Sequence, residues 1–102
     1  MAKINIVRTR KFICYVQMTP DFLKLSLEER KSWIPTWKEM AKKHGLNVLF
    51  YGTTLGVREH VVVVFESAEN SEGYLKFQRE WQGLGTPEAG KFIKYTRSIT
   101  VL

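Results

Sequence analysis

Along the stretch Lys11–Met18 the side chains alternate: Phe12, Cys14, Val16 and Met18 fall on one parity, and Lys11, Ile13, Tyr15 and Gln17 on the other. A period of two belongs to a strand with one face turned to a core. A first strand is therefore predicted over Lys11–Met18, with Ile4, Ile6 and Val7 either extending it or forming an edge strand of their own. Thr19, Pro20 and Asp21 then punctuate the chain, and the period changes. Trp33, Trp37, Met40, Ala41 and His44 repeat at helical spacing on one stripe. Ser26 and Glu29 before them have the spacing of a capping box, and Gly45 stands where a left-handed helix end is wanted. A first helix is predicted from Ser26 to Gly45. Pro35 inside it lacks a backbone donor and is expected to kink it or divide it in two.

Leu46–Thr54 and Val57–Glu66 are two further strand-like runs, separated by Leu55 and Gly56 and read as an antiparallel hairpin, with Gly52 available for a bulge. Ser67 opens a second helix, Ala68–Gln82, with Glu69 and Glu72 near its positive end and Tyr74, Phe77 and Trp81 on one face. Gly83, Gly85 and Pro87 make a loop, and Lys91–Leu102 is the last strand. Two right-handed βαβ crossovers joined through a central hairpin give a four-stranded antiparallel sheet, order 4-1-3-2, with both helices on one face.

Strand parity divides the sheet's two faces. Phe12, Cys14 and Val16, with Leu46, Val48 and Phe50 and with Val61, Val63 and Phe65, are assigned to the helix side. The second face then carries Ile13, Tyr15 and Gln17; Asn47, Leu49 and Tyr51; and Arg58, His60, Val62 and Val64. In the last strand either Phe92 and Lys94, or Ile93, Tyr95 and Arg97, point that way. This second face is too apolar for a wetted surface yet has polar tips, the mark of a face meant for a partner or a ligand.

At 102 residues and 44% hydrophobic content the chain is one globular domain, 1–102, with a modest core. The net charge of +6 is unevenly placed: Met1–Pro20 has four basic residues and no acid, Ala89–Leu102 three and none, while Asp21–Glu88 has nine basic and ten acidic residues. The predicted order makes the first and last strands neighbours and gathers the excess along one edge. Cys14 is the sole cysteine, which excludes an internal disulfide and a CxxC site and suits a reducing compartment. No apolar stretch approaches a membrane span and no signal-peptide core follows the N-terminus, so a cytoplasmic protein without membrane contact is expected.

The βαββαβ order, the run VVVVFES at Val61–Ser67 leading straight into a helix, and the basic, apolar final strand resemble the dimeric α/β-barrel superfamily, a ferredoxin-like α+β group. The segment Thr19–Arg30 resembles its darcynin-type members. The resemblance implies a homodimer in which two sheets face each other and enclose a pocket, as in cofactor-independent monooxygenases and haem-degrading enzymes of the group. The haem-degrading members carry the iron on a histidine of the second helix, and Ala68–Gln82 contains no histidine. No cofactor is therefore expected.

His60 is the candidate catalytic base, since an imidazole in a partly buried pocket titrates near neutral pH; the plainer reading is a hydrogen-bonded interface or surface histidine. Tyr15, Tyr51 and Tyr95, with Arg58 and Arg97, are the candidate lining for a hydrophobic or aromatic small molecule, the arginines polarising a phenolate. Tyrosine is equally at home where its ring is buried and its hydroxyl wet. His44 is placed as a helix-end cation, the three tryptophans as core, and no metal site is expected from two separated histidines and one core cysteine. A structural or nucleic-acid-associated role through the basic edge is the alternative. Laying Arg58–Phe65 on the RNA-recognition pattern, however, puts His60 and Val62 where stacking aromatics belong, and Gly83 and Gly85 lie in the wrong context for a phosphate loop. The leading expectation is a small homodimer with an inter-sheet pocket, open between a monooxygenase-like enzyme and a ligand-binding protein.

Overall fold

The computed structural model describes residues 9–67, 72–83 and 91–101. Within it the alternation of the first strand is realised: β1 (Arg10–Met18) buries Phe12, Cys14, Val16 and Met18 and leaves the residues between them less covered. It pairs antiparallel with β3 (Val61–Ser67) on one side and β4 (Ile93–Val101) on the other. β2 (Leu46–Thr53) pairs with β3, completing the order β2-β3-β1-β4, the same as 4-1-3-2. The expectations for Ile4, Ile6, Val7, Glu69, Gly85 and Pro87 lie outside the described residues.

The helical region between β1 and β2 is more divided than expected. Thr19 accepts from the N–H of Phe22 at 3.4 Å and starts a single turn, α1 (Pro20–Leu23), where the sequence suggested irregular chain. The capping box forms in both directions: the N–H of Glu29 donates to Ser26 Oγ at 3.2 Å and the N–H of Ser26 to Glu29 Oε1 at 3.5 Å, opening α2 (Leu27–Ser32). α3 (Ile34–Lys43) follows at once, with Trp33 closing one helix and opening the next. Pro35 therefore divides the helix. It sits in the first turn of α3, where its missing N–H is one of the donors that have no helical partner anyway. Gly45 adopts φ 78° and ends the element as expected. α4 (Glu72–Trp81) presses Tyr74, Phe77, Gln78 and Trp81 onto the sheet.

Two features of the hairpin differ from the expected ones. Its connection is longer than Leu55–Gly56, because β2 ends at Thr53 and β3 begins only at Val61. Thr54 ties this loop to itself, its N–H donating to His60 O at 3.2 Å and its hydroxyl to Glu59 O. The irregularity in β2 falls between Val48 and Phe50, not at Gly52. One extra residue inverts every later side chain. Phe50 consequently lies opposite Val64 on the open face and is 57% exposed, while Tyr51 lies opposite Val63 on the helix side.

The core is aromatic. Phe12 stacks on Tyr74 at 4.0 Å, Phe77 packs against Phe65 at 5.0 Å and Trp81 at 5.2 Å, and Trp37 meets Trp81 at 5.8 Å. Trp81 is buried, as expected of the tryptophans, and Trp33 and Trp37 are half-buried at the edge of this cluster. Among the described residues no helix is long and apolar enough to cross a membrane.

Candidate functional site

The register of β4 settles which of its residues face away from the helices: Tyr95, Arg97 and Ile99 lie opposite Gln17, Tyr15 and Ile13, whereas Ile93, grouped with Tyr95 and Arg97 by alternation, is buried opposite Met18 because the register shifts between Gln17 and Met18. The open face thus gathers Ile13, Tyr15, Val62, Val64, Phe50 and Ile99, with Arg97 and Tyr95 at one end. A shallow hollow there is lined by Val57, Arg58, Glu59, Tyr95 and Arg97. Of the sequence-derived lining residues, Arg58, Tyr95 and Arg97 come together here, and Tyr15 joins them with its ring 4.7 Å beneath the Arg97 guanidinium. Tyr51 does not, having been turned to the helix side by the bulge in β2.

Glu59 is the residue the sequence reading missed. Only 4% exposed, it accepts from Arg97 Nε and Nη2, both at 3.0 Å. This two-point charge-assisted contact is the main reason its carboxyl is lowered from 4.5 to about 2. It is a standing counter-ion, not a proton acceptor, and it occupies the face of Arg97 that an anionic ligand would want. The only sequence signal for it is an acid flanked by Arg58 and His60 in a strand-like run.

His60 fastens the same corner. Its N–H donates to Val16 O at 3.0 Å and its Nδ1 accepts from the N–H of Met18 at 3.1 Å. An accepting Nδ1 requires the proton to sit on Nε2, so Nε2 is the nitrogen left for chemistry. His44 closes α3 and lies 2.7 Å from Glu80, which also takes Lys43 at 2.6 Å. These hydrogen bonds, Lys43 first, lower the Glu80 carboxyl.

On the helix side, α4 is joined to β1 and β4 by a polar seam. Thr96 Oγ1 donates to Gln78 Oε1 at 2.7 Å, Gln78 Nε2 lies 3.5 Å from Cys14 Sγ, and the Tyr74 and Ser98 hydroxyls are 2.6 Å apart. Burial raises the pKa of both Cys14 and Tyr74, which keeps the thiol protonated and a poor nucleophile.

Between the short helices and β2–β3 the packing opens into a cavity of about 240 Å³. Phe65, Phe77, Trp81 and Val63 form its floor, and Phe22, Ile34 and Trp37 roof it. Arg30, Lys31, Lys38 and Tyr51 also line it. Trp81 is 2% exposed and, among the described residues, its Nε1 has no hydrogen-bond partner. A buried donor left unmade costs about 1–3 kcal/mol, and buried indole N–H groups usually find a partner.

The basic edge is partly neutralised. Lys11 pairs with Glu66 at 3.3 Å and Arg97 with Glu59 at 3.0 Å. Lys3 and Arg8 lie outside the described residues.

No family model matches the sequence, and no curated protein matches it. Solved structures do. A dabb family protein with a ferredoxin-like fold from Mesorhizobium loti superposes with a TM-score of 0.60 at 11% identity, covering 92% of this chain and 95% of that one. A dimeric ferredoxin-like protein of unknown function from Thermobifida fusca gives 0.54 at 11% identity, covering 91% and 89%. A mutant chlorite dismutase from Candidatus Nitrospira defluvii gives 0.58 at 13% identity, covering 95% of this chain but 42% of the dismutase. Likeness at such identities is one of fold, and the fold of this chain is ferredoxin-like α+β.

Proposed function

We propose that the chain is a homodimer of the dimeric α/β-barrel kind, paired through its open sheet face, and that each copy binds a small, largely apolar molecule in the cavity between its helices and its sheet. The darcynin-type resemblance of Thr19–Arg30 belongs to the same proposal, since that segment builds α1 and most of α2, which help enclose the cavity. The carrying observation is the cavity itself. About 240 Å³ of mostly apolar space, open at its mouth and walled by Phe65, Phe77 and Trp81, suits a small apolar occupant. The volume lies just under the roughly 300–1,000 Å³ of pockets for drug-sized ligands, which points to a smaller molecule. Titration with 1-octanol, followed by tryptophan fluorescence, should show saturable binding because Trp37 and Trp81 line the space. Val61→Phe, adding a ring at the cavity wall, should remove it. A folded Val61→Phe that binds octanol as tightly as the parent chain would refute the assignment.

A second reading keeps the ligand between the facing sheets, at Tyr15, Arg58, Tyr95 and Arg97, with His60 Nε2–H as a hydrogen-bond donor to it and monooxygenase-like chemistry on a phenolic substrate. It is favoured by Gln17, whose Oε1 is buried with no partner among the described residues and which lies opposite Tyr95. Arg58 is its anion-facing group, since Glu59 holds Arg97. Oxygen uptake with a naphthol that is lost in Arg58→Ala and His60→Ala supports this reading. No uptake by the parent chain reduces the cluster to a fastening of the sheet corner.

A further inference from the structure

Resting on the reading that the helix-side cavity holds an apolar molecule, we infer that its ligand is an organic anion: an apolar body seated in the cavity, with a carboxylate at the mouth between Lys31 and Lys38. Three cationic residues line a mostly apolar space. Arg30 is a strut, its Nε donating to Leu25 O at 3.2 Å and its Nη2 to Leu23 O at 2.6 Å, so that it stiffens the join between α1 and α2. The two lysines are different. Both are exposed, and among the described residues neither is in an ion pair.

Their placement follows from the divided helix. Lys31 lies in the last turn of α2 and Lys38 within α3, and the break at Trp33 sets both on the rim of the cavity, with Ile34 between them in sequence. Lys38 Nζ lies 5.6 Å from the centroid of the Tyr51 ring. That contact exists because the bulge in β2 turned Tyr51 to this side. Lys31, Lys38, Ile34 and Tyr51 also line the shallow hollow outside the cavity, where Glu39 is the one carboxylate. Two cations against one acid, at the junction of an apolar cavity and water, favour an anionic head. A neutral head gains nothing from them and a cationic head is repelled. Water and the ring of Tyr51 leave each lysine movable, so the advantage over a neutral ligand is about tenfold, the scale of one or two partly exposed ion pairs.

The test uses three probes of one length on the whole chain: octanoate, 1-octanol and octylammonium, each titrated by tryptophan fluorescence at neutral pH and two salt concentrations. The expected result is octanoate binding about tenfold tighter than octanol and octylammonium weaker than octanol. The octanoate advantage over octanol should shrink at high salt and fall to within about twofold in the Lys31→Gln, Lys38→Gln double variant. Octanoate and octanol binding equally to the parent chain would overturn the anion while leaving the apolar cavity standing. An octanoate advantage that survives in a folded double variant would overturn the assignment to these lysines. Binding of none of the probes would overturn the cavity reading and the inference with it. The ranking of the probes on the parent chain stands even if the double variant fails to fold.

Discussion

Ile13→Asp tests the homodimer at its centre. Ile13 lies on β1, an inner strand, opposite Val64 of β3 and Ile99 of β4 on the open face. Four strands at about 4.8 Å spacing and seven paired residues at about 3.4 Å each make a face of roughly 19 by 24 Å, or about 450 Å² per copy. Two such faces bury about 900 Å², below the roughly 1,200–2,000 Å² of standard specific interfaces and in the range of weak ones. With about two thirds of that area apolar, burial contributes about 15 kcal/mol. The loss of translational and rotational freedom costs about 4–15 kcal/mol. A cost in the middle of that range leaves about 6 kcal/mol and a dissociation constant of tens of micromolar. In a two-fold dimer the substitution enters twice. Each copy loses up to about 1 kcal/mol of isoleucine burial, since Ile13 is already half-buried in the isolated copy, and gains a carboxylate that pairing would strip of water, at a cost of several kcal/mol. Dimerisation should therefore weaken by at least about a thousandfold, while the isolated copy, whose Ile13 is only half-buried, keeps its fold. Equilibrium sedimentation across 5–500 μM, with circular dichroism to confirm folding, reads this directly. A parent chain that stays monomeric at the top of the range would refute the reasoning. So would a folded Ile13→Asp whose dissociation constant lies within threefold of the parent's.

Two further outcomes bear on what fastens the site. The Glu59 carboxyl is lowered from 4.5 to about 2 in the folded chain. Its contribution to stability is therefore fully present above about pH 4.5 and lost as the pH falls through that window toward 2. Urea midpoints measured against pH should show Glu59→Gln less stable than the parent at neutral pH and less sensitive to acid below pH 4.5. Parallel curves would refute the ion pair's role. Gly73→Ala should destabilise by roughly 1–3 kcal/mol, because a Cβ there would run into the carbonyl of His44 and push α4 from the end of α3. An unchanged urea midpoint would show that the two helices part without cost.

The alternation of Phe12, Cys14, Val16 and Met18, the run Val61–Ser67, the Ser26–Glu29 box, Gly45 and Pro35 were legible because each signal is local. A period, a cap or a missing N–H acts within a few residues of itself, and the right-handed crossover rule turns the resulting order of elements into a sheet order. Tyr51 and Phe50 were not legible. Strict alternation puts them on the wrong faces, since one extra residue between Val48 and Phe50 inverts everything after it, and no residue type announces that insertion. Glu59 looked like one polar residue in a strand-like run. Its burial depends on Arg97, 38 positions away. The Gln78–Thr96 seam spans 18 positions in the same manner.

What the chain's own sequence determined, then, is the set of elements, their ferredoxin-like order and the apolar character of both sheet faces, all consequences of short-range periodicity and backbone chemistry. What only the tertiary structure decided is which residues share a site: it parted Tyr51 from Tyr15, Arg58, Tyr95 and Arg97, gave Arg97 a counter-ion, and left a cavity beneath the divided helix with Lys31 and Lys38 at its rim. Cavities and ion pairs are properties of surfaces brought together from distant parts of the chain, and a one-residue slip in a strand is enough to change which surfaces meet.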